Sequence, residues 1–227
     1  MQRFFDILFS GLALLVLSPL LIPIMIILKF TGEGEIFYVQ QRVGKDGKMF
    51  GLLKFATMLK DSPNLGTGAI TVKGDPRVLP VGKFLRKTKI NELPQLLNIL
   101  KGDMSIIGPR PITKEQFSIY SQDTQEDIKK ILPGLSGIGS IIFRDEEEIL
   151  SRNEIEDKLY FHENIISPYK GKVESWYIKN QSLGLYFKLI YLTILIVVIP
   201  EYVIHFHKLF KNFPVPPKEL GLRGVRR

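Results

Sequence analysis

Residues 89–111 read KINELPQLLNILKGDMSIIGPRP. The stretch places Glu92 beside a predicted helix start, continues into an amphipathic helix, turns at Gly102 and Asp103, and closes in Gly108-Pro109-Arg110-Pro111. Asn91 reads as the helix N-cap, Pro94 as a first-turn proline and Gly102 as the stop. Leu93, Leu96, Leu97 and Leu100 recur at helical spacing and predict one buried face. At such a helix start the backbone donors and the macrodipole favour an anion, so Glu92 is expected to stay ionised, fit to serve as a nucleophile or as an Mg2+ ligand. Proline on both sides limits the backbone of Arg110, and a guanidinium grips phosphate oxygens with a planar fork. An acid and a fixed guanidinium on neighbouring turns suit chemistry on phosphates. The bland alternatives are a glutamate that only stabilises its helix and an Arg110 that salt-bridges a core acid such as Asp103.

Just upstream, residues 81–87 predict a short helix carrying Lys83, Arg86 and Lys87. Residues 35–41 read as a strand, 44–47 as a turn, and 50–58 as either strand or buried helix. Downstream, residues 124–131 predict a charged helix and 133–140 a glycine-rich loop. Residues 146–148 read as a solvated acidic helix start. Residues 183–199 are apolar apart from Lys188 and stop at Pro200, which predicts a helix lying in a membrane interface, with a second span as the alternative. The tail from 213 on is rich in proline and arginine and is expected to be loose.

The opening is the second informative feature. Residues 7–28, ILFSGLALLVLSPLLIPIMIIL, carry no charge. At about 1.5 Å per residue they reach roughly 33 Å, enough to cross a hydrocarbon core. Pro19 cannot donate to the carbonyl of Leu15, so a kink is expected, and the Ser18 hydroxyl can satisfy the freed carbonyl. Two arms of about 11 residues each would then dip into one leaflet and return; a kinked spanning anchor is the alternative. Arg3 before the run and Lys29, Arg42, Lys45 and Lys48 after it suit two ends on the cytoplasmic side.

Composition narrows the partners. The 227 residues carry a net charge of +8, which implies anionic partners: lipid head groups, phosphorylated substrates or nucleic acid. Nucleic acid is disfavoured, because no zinc spacing or RNA-binding signature occurs. The chain has no cysteine, which excludes thiolate catalysis and disulfides. His162, His205 and His207 make no zinc pattern. No Walker or dinucleotide loop occurs, and Ser105 lacks the setting of a hydrolase nucleophile.

Taken in order, the motifs resemble those of the bacterial sugar transferases, the small monotopic phosphoglycosyl transferases, over nearly the whole chain. RFFDILFS (3–10) with Ser18-Pro19 resembles their re-entrant membrane helix, and QQRVGKDGKMFGLLKFATM (40–58) their hairpin and following segment. ELPQLLNILKGDMSIIGPRP (92–111) is the most specific match; PGLSGIG (133–139) and NQSLGLYFKLIYLT (180–193) resemble later motifs. The resemblance implies transfer of a phosphosugar from a UDP-sugar to a polyprenyl phosphate, release of UMP, and an Mg2+ requirement. It implies a covalent two-step mechanism on an Asp-Glu dyad, with Arg86 and Arg110 on the substrate phosphates. The step would initiate bacterial glycoconjugate assembly (capsule, O-antigen or glycoprotein) at the cytoplasmic face of the inner membrane, among membrane lipids. A homodimer is allowed and not demanded.

The fold class implied is α+β, mostly helical. A re-entrant helix (1–30) leads a small catalytic domain (31–182), an interfacial helix (183–210) and a basic tail (211–227). Sugar specificity is expected in residues 64–68 and 133–144. One departure matters: the dyad's aspartate falls on Asn91, while its glutamate matches Glu92. Three explanations stand open: Glu92 or Asp103 as the nucleophile of a subgroup, an introduced substitution, or a catalytically impaired, binding-only relative that recruits partners or substrate at the membrane. Ala56 also stands where members often carry arginine, leaving one basic substrate contact unmatched.

Overall fold

The computed structural model describes residues 1–62, 75–152 and 155–222. Helices dominate, and the sheets among the described residues are two-stranded. The chain divides into two units: Phe4–Gln41 with Gly51–Gly102, and Met1–Arg3 with Arg42–Phe50 and Asp103–Arg227. The expected specificity segment 64–68 lies outside the described residues.

Helix α1 (Gln2–Phe30) is one helical element with Pro19 and Pro23 inside it. Pro19 has no N–H to give Leu15, and the Ser18 hydroxyl donates to that carbonyl at 2.7 Å, as the sequence predicts. Leu21, Ile24 and Leu28, at helical spacing, are buried with Phe55 and Leu85. Each such burial is worth about 1.5–3 kcal/mol. The other faces show Leu12, Leu15, Val16, Ile22 and Ile26 to the outside. A helix apolar on nearly every face is built for lipid rather than for water. By length and composition it can cross a membrane.

Strands β1 (Phe37–Val43) and β2 (Met49–Phe55) pair across a 3-10 turn at Lys45–Gly47. Gly47 sits there at φ 72°, the left-handed region glycine enters freely. Pairing with β1 settles residues 50–55 as strand, and Phe37 stacks on Phe55 at 5.7 Å. Helix α2 (Pro80–Lys87) brings Gly82 onto the chain at Thr57, where a Cβ would lie 2.2 Å from the Thr57 carbonyl oxygen.

Helix α3 (Gln95–Lys101) corrects the predicted register. Its buried face is Gln95, Leu96, Asn98 and Ile99, while Leu97 and Leu100 are exposed. The cause is Asn98. Its side chain accepts from Leu53 N–H at 2.9 Å and donates to the Gly51 carbonyl at 2.8 Å, closing backbone groups of β2. Buried backbone polar groups demand partners, and meeting that demand turns the two leucines outward.

In the other unit, β3 (Ser105–Ile107) is followed by α4 (Lys114–Ile119) and α5 (Gln122–Lys129). The capping box of Thr113 and Gln116 starts α4. The predicted loop 133–140 is instead β4 (Gly134–Ser136) running into α6 (Ile138–Ile142). Strand β4 pairs parallel with β3, Ser105 opposite Gly134 and Ile107 opposite Ser136. The glycines that looked like loop composition allow backbone to lie on backbone.

Helices α7 (Glu146–Leu150) and α8 (Lys158–Phe161) lead to α9 (Ser167–Lys179), which packs on α5 and α6. Helix α10 (Leu183–Val198) is capped by Ser182 and buries Leu185, Tyr186, Leu189, Leu192 and Ile196. Tyr191, Ile194, Val197 and Val198 stand exposed on it. Its internal Lys188 reaches the Leu209 carbonyl at 2.9 Å and lies 4.4 Å over the Phe210 ring.

Residues 213–222 pack onto the unit rather than hanging free. Phe213 meets Trp176 at 5.0 Å, behind the short helix α11 (Phe206–Leu209), and Leu220 is fully buried. Residues 223–227 lie outside the described residues.

Candidate active site

Asn91 is not a helix cap, and Glu92 is not in the first turn of an α-helix. Residues Ile90–Glu92 form a 3-10 turn, and α3 begins at Gln95. Pro94 stands directly before α3, and the Ile90 carbonyl accepts from Leu93 N–H at 3.1 Å, the i to i+3 bond of a 3-10 turn. Lys89, just before the turn, is a non-glycine residue in the left-handed region, φ 59°. Such a conformation costs about 1–3 kcal/mol and persists where surrounding structure imposes it.

On this turn the Glu92 carboxylate lies 3.6 Å from the Lys54 ammonium, the side chains 23% and 20% exposed. Lys54, on β2, therefore supplies the positive charge that the sequence reading assigned to a helix terminus. Asn91 is buried, and its Oδ1 has no hydrogen-bond partner among the described residues. An orphaned buried acceptor costs about 1–3 kcal/mol. Arg86 is half-buried on α2, which packs against the turn, and Nη1 contacts Met58 Sδ at 3.6 Å.

Arg110 and Asp103 belong to the other unit. Arg110 is exposed at the tip of its loop, while Pro109 and Pro111 on either side are buried. Its backbone N–H points to Glu174 Oε1 at 3.5 Å. Asp103 is half-buried, between α3 and β3.

The comparisons with known proteins add the decisive point. Residues 1–200 match the family model described as bacterial sugar transferase. The chain belongs to that family. It is similar to the exopolysaccharide production protein ExoY of Sinorhizobium fredii, 36% identical over 165 residues, 66% of this chain and 73% of the relative. It is also similar to the undecaprenyl-phosphate galactose phosphotransferase of Salmonella typhimurium, 35% identical over 81% of this chain and 37% of the relative. The undecaprenyl-phosphate glucose phosphotransferase of Komagataeibacter xylinus is 31% identical over 85% of this chain and 35% of the relative. The chain thus spans little more than a third of these two phosphotransferases.

In this sugar transferase the donor set at the turn is one carboxylate and one orphaned amide oxygen. Mg2+ usually keeps several waters and takes one or two carboxylates plus substrate phosphates. Glu92 supplies one such carboxylate, and the Asn91 amide oxygen is a weaker, neutral donor. A closed protein cage is absent among the described residues, where no group of three or more His, Asp or Glu converges.

Three features escaped sequence reasoning. Lys54 left one signal, a lysine inside the apolar run LLKF. Glu146 is no solvated helix start: Lys170 lies 2.7 Å and His162 3.2 Å from its carboxylate. Burial alone would raise its pKa, but hydrogen bonding from His162 and the charge of Lys170 hold it down at about 2. Glu174 is fully buried on α9 beside the Arg110 loop; nothing in VESWYI marked it.

Proposed function

We propose that this sugar transferase carries a phosphosugar from a UDP-sugar to a polyprenyl phosphate such as undecaprenyl phosphate, releasing UMP. The half-buried Glu92 carboxylate, on a constrained turn beside the orphaned Asn91 oxygen, carries this reading. The substrate class is supported by relatives whose names make them undecaprenyl-phosphate phosphotransferases. The step would initiate bacterial glycoconjugate assembly.

In the first step a Glu92 oxygen attacks the phosphorus that bears the sugar. That P–O bond forms as the bond to UMP breaks, and UMP leaves with the electron pair. In the second step an oxygen of the lipid phosphate attacks the same phosphorus, and Glu92 departs as a carboxylate. No proton needs to move. Arg86 and Arg110 are each assigned to a substrate phosphate, and Asp103 is the alternative nucleophile. Glu92 and Asn91 would hold Mg2+, which supplies charge neutralisation on the diphosphate when bound.

The test is UMP release from a panel of UDP-sugars with undecaprenyl phosphate in nanodiscs. One donor should give UMP and lipid-linked phosphosugar in equal amounts, and chelating Mg2+ should stop it. Asn91→Asp adds a second carboxylate at the turn and should raise turnover by at least about tenfold. The reading is lost if no donor yields UMP with either chain. Asn91 also favours a second reading, a binding-only relative, which predicts donor binding without UMP and indifference to Glu92→Ala.

The site is assigned to the cytoplasmic face of the inner membrane, with α1 re-entrant and the exposed face of α10 in the interface. The Ser18 bond to Leu15, the two prolines and the outward apolar residues support this. Because the chain has no cysteine, single Phe4→Cys and Phe30→Cys variants report cleanly. An impermeant thiol reagent should reach both in inside-out vesicles and neither from outside. Labelling of one end from outside would mean that α1 crosses.

A further inference from the structure

We propose that Glu174 is a positioning residue for Arg110: its buried carboxylate accepts from the Arg110 backbone N–H and fixes the bend that presents the guanidinium. This rests on the phosphate-binding role assigned to Arg110 above. In Pro109-Arg110-Pro111 only Arg110 has a backbone N–H, since proline has none. Glu174 therefore grips the single main-chain donor that run offers, at 3.5 Å from Oε1. Its other oxygen, Oε2, has no hydrogen-bond partner among the described residues. An apolar residue would fill the same space without the cost of a poorly satisfied carboxylate.

The surroundings are shaped to admit this group. A Cβ on Gly139 would stand 2.2 Å from Oε1, so α6 meets the carboxylate with the one residue that has no side chain. Backbone bonds hold the loop from its other side. Gly108 N–H donates to the Ser136 carbonyl at 3.0 Å, and Gly134 N–H to the Pro109 carbonyl at 2.8 Å. A Cβ on Gly137 would lie 2.1 Å from the Gly108 carbonyl oxygen. Strand β4 thus fixes the base of the loop, and Glu174 reaches its tip.

Burial pushes the Glu174 carboxyl up to about 7, although the Arg110 N–H and the charges of Lys170 and Arg110 pull it back in part. Lys170 lies on the same helix and is engaged by Glu146 from α7, which also holds His162. Tyr120, after α4, has its hydroxyl pushed up by burial and by the charges of Glu174 and Glu146. Helix α5 turns Asp127 to Lys130 and Lys179. Near neutrality the carboxyl therefore passes from a weak neutral acceptor to a charged one, and the grip on Arg110 tightens as pH rises.

The experiment uses the full chain in lipid nanodiscs, labelled with 15N-arginine, with the Arg110 amide assigned by its loss in Arg110→Lys. In the wild type that amide should shift with a midpoint of about 7. In Glu174→Gln it should stay flat, and in Glu174→Asp it should titrate again with a moved midpoint. Where a donor turns over, its KM should rise about 3- to 10-fold as pH falls through the midpoint, with little change in kcat, and Glu174→Gln should lose that dependence. An Arg110 amide that is flat in the wild type, or that still titrates in Glu174→Gln, overturns the proposal. If no donor turns over, the transfer reading fails, while the amide titration still decides the role of Glu174.

Discussion

Glu92→Gln should lower turnover on the order of 10^3-fold or more while leaving the fold in place. The substitution keeps the shape of the side chain and its place on the Ile90–Glu92 turn. It removes the negative charge and the nucleophilic oxygen together. An amide neither displaces UMP nor replaces a carboxylate at a hard cation. The structural cost is moderate, because the partner Lys54 is only about a fifth exposed, although the amide oxygen of the glutamine can still accept from it. Loss of the ionic partner in such a largely buried pair costs about 1–3 kcal/mol. Thermal unfolding in the same nanodiscs should therefore fall by no more than about 10 degrees while UMP release collapses. A variant that keeps more than about a tenth of wild-type turnover would remove Glu92 from the reaction and move attention to Asp103.

Arg110→Lys should cost about 10^2-fold in kcat/KM, close to 3 kcal/mol of transition-state stabilisation. The charge is retained, so a purely electrostatic role would survive the change. The planar fork is not retained, and an ammonium cannot take two oxygens of one phosphate in fixed directions. Arg110 is exposed and its flanking prolines are buried, so the loop should keep its shape. Arg110→Ala should be at least as severe. Equal activity of the lysine variant and wild type would show that the guanidinium serves only as a surface charge.

The active region departs from its sequence reading at two places. The spacing of the leucines predicts a helix from Asn91 with those leucines inside. Residues Ile90–Glu92 tighten into a 3-10 turn, and Asn98 takes an inward position to serve the backbone of β2. The Asn98 contacts are polar and join residues far apart in the chain. Hydrophobic periodicity does not report them. The same holds for the segment 133–140, where glycine composition signalled a loop and the structure needed glycine for the close approach of β4 to Gly108.

The sequence by itself determined the apolar helix with its Ser18-Pro19 device, the short helix carrying Arg86, the rigid Pro-Arg-Pro loop and the family. These are local or compositional properties: a missing N–H, a fixed φ, a run without charge, an ordered set of motifs. Only the tertiary structure decided that Lys54 is the counter-charge of Glu92, that Asn91 buries an unpartnered oxygen, and that Glu174 stands under Arg110. Those pairings join residues 38 and 64 positions apart in the first and last cases, as Lys54 to Glu92 and Arg110 to Glu174. A charge finds its partner through chain folding, and no spacing rule along one sequence encodes that distance.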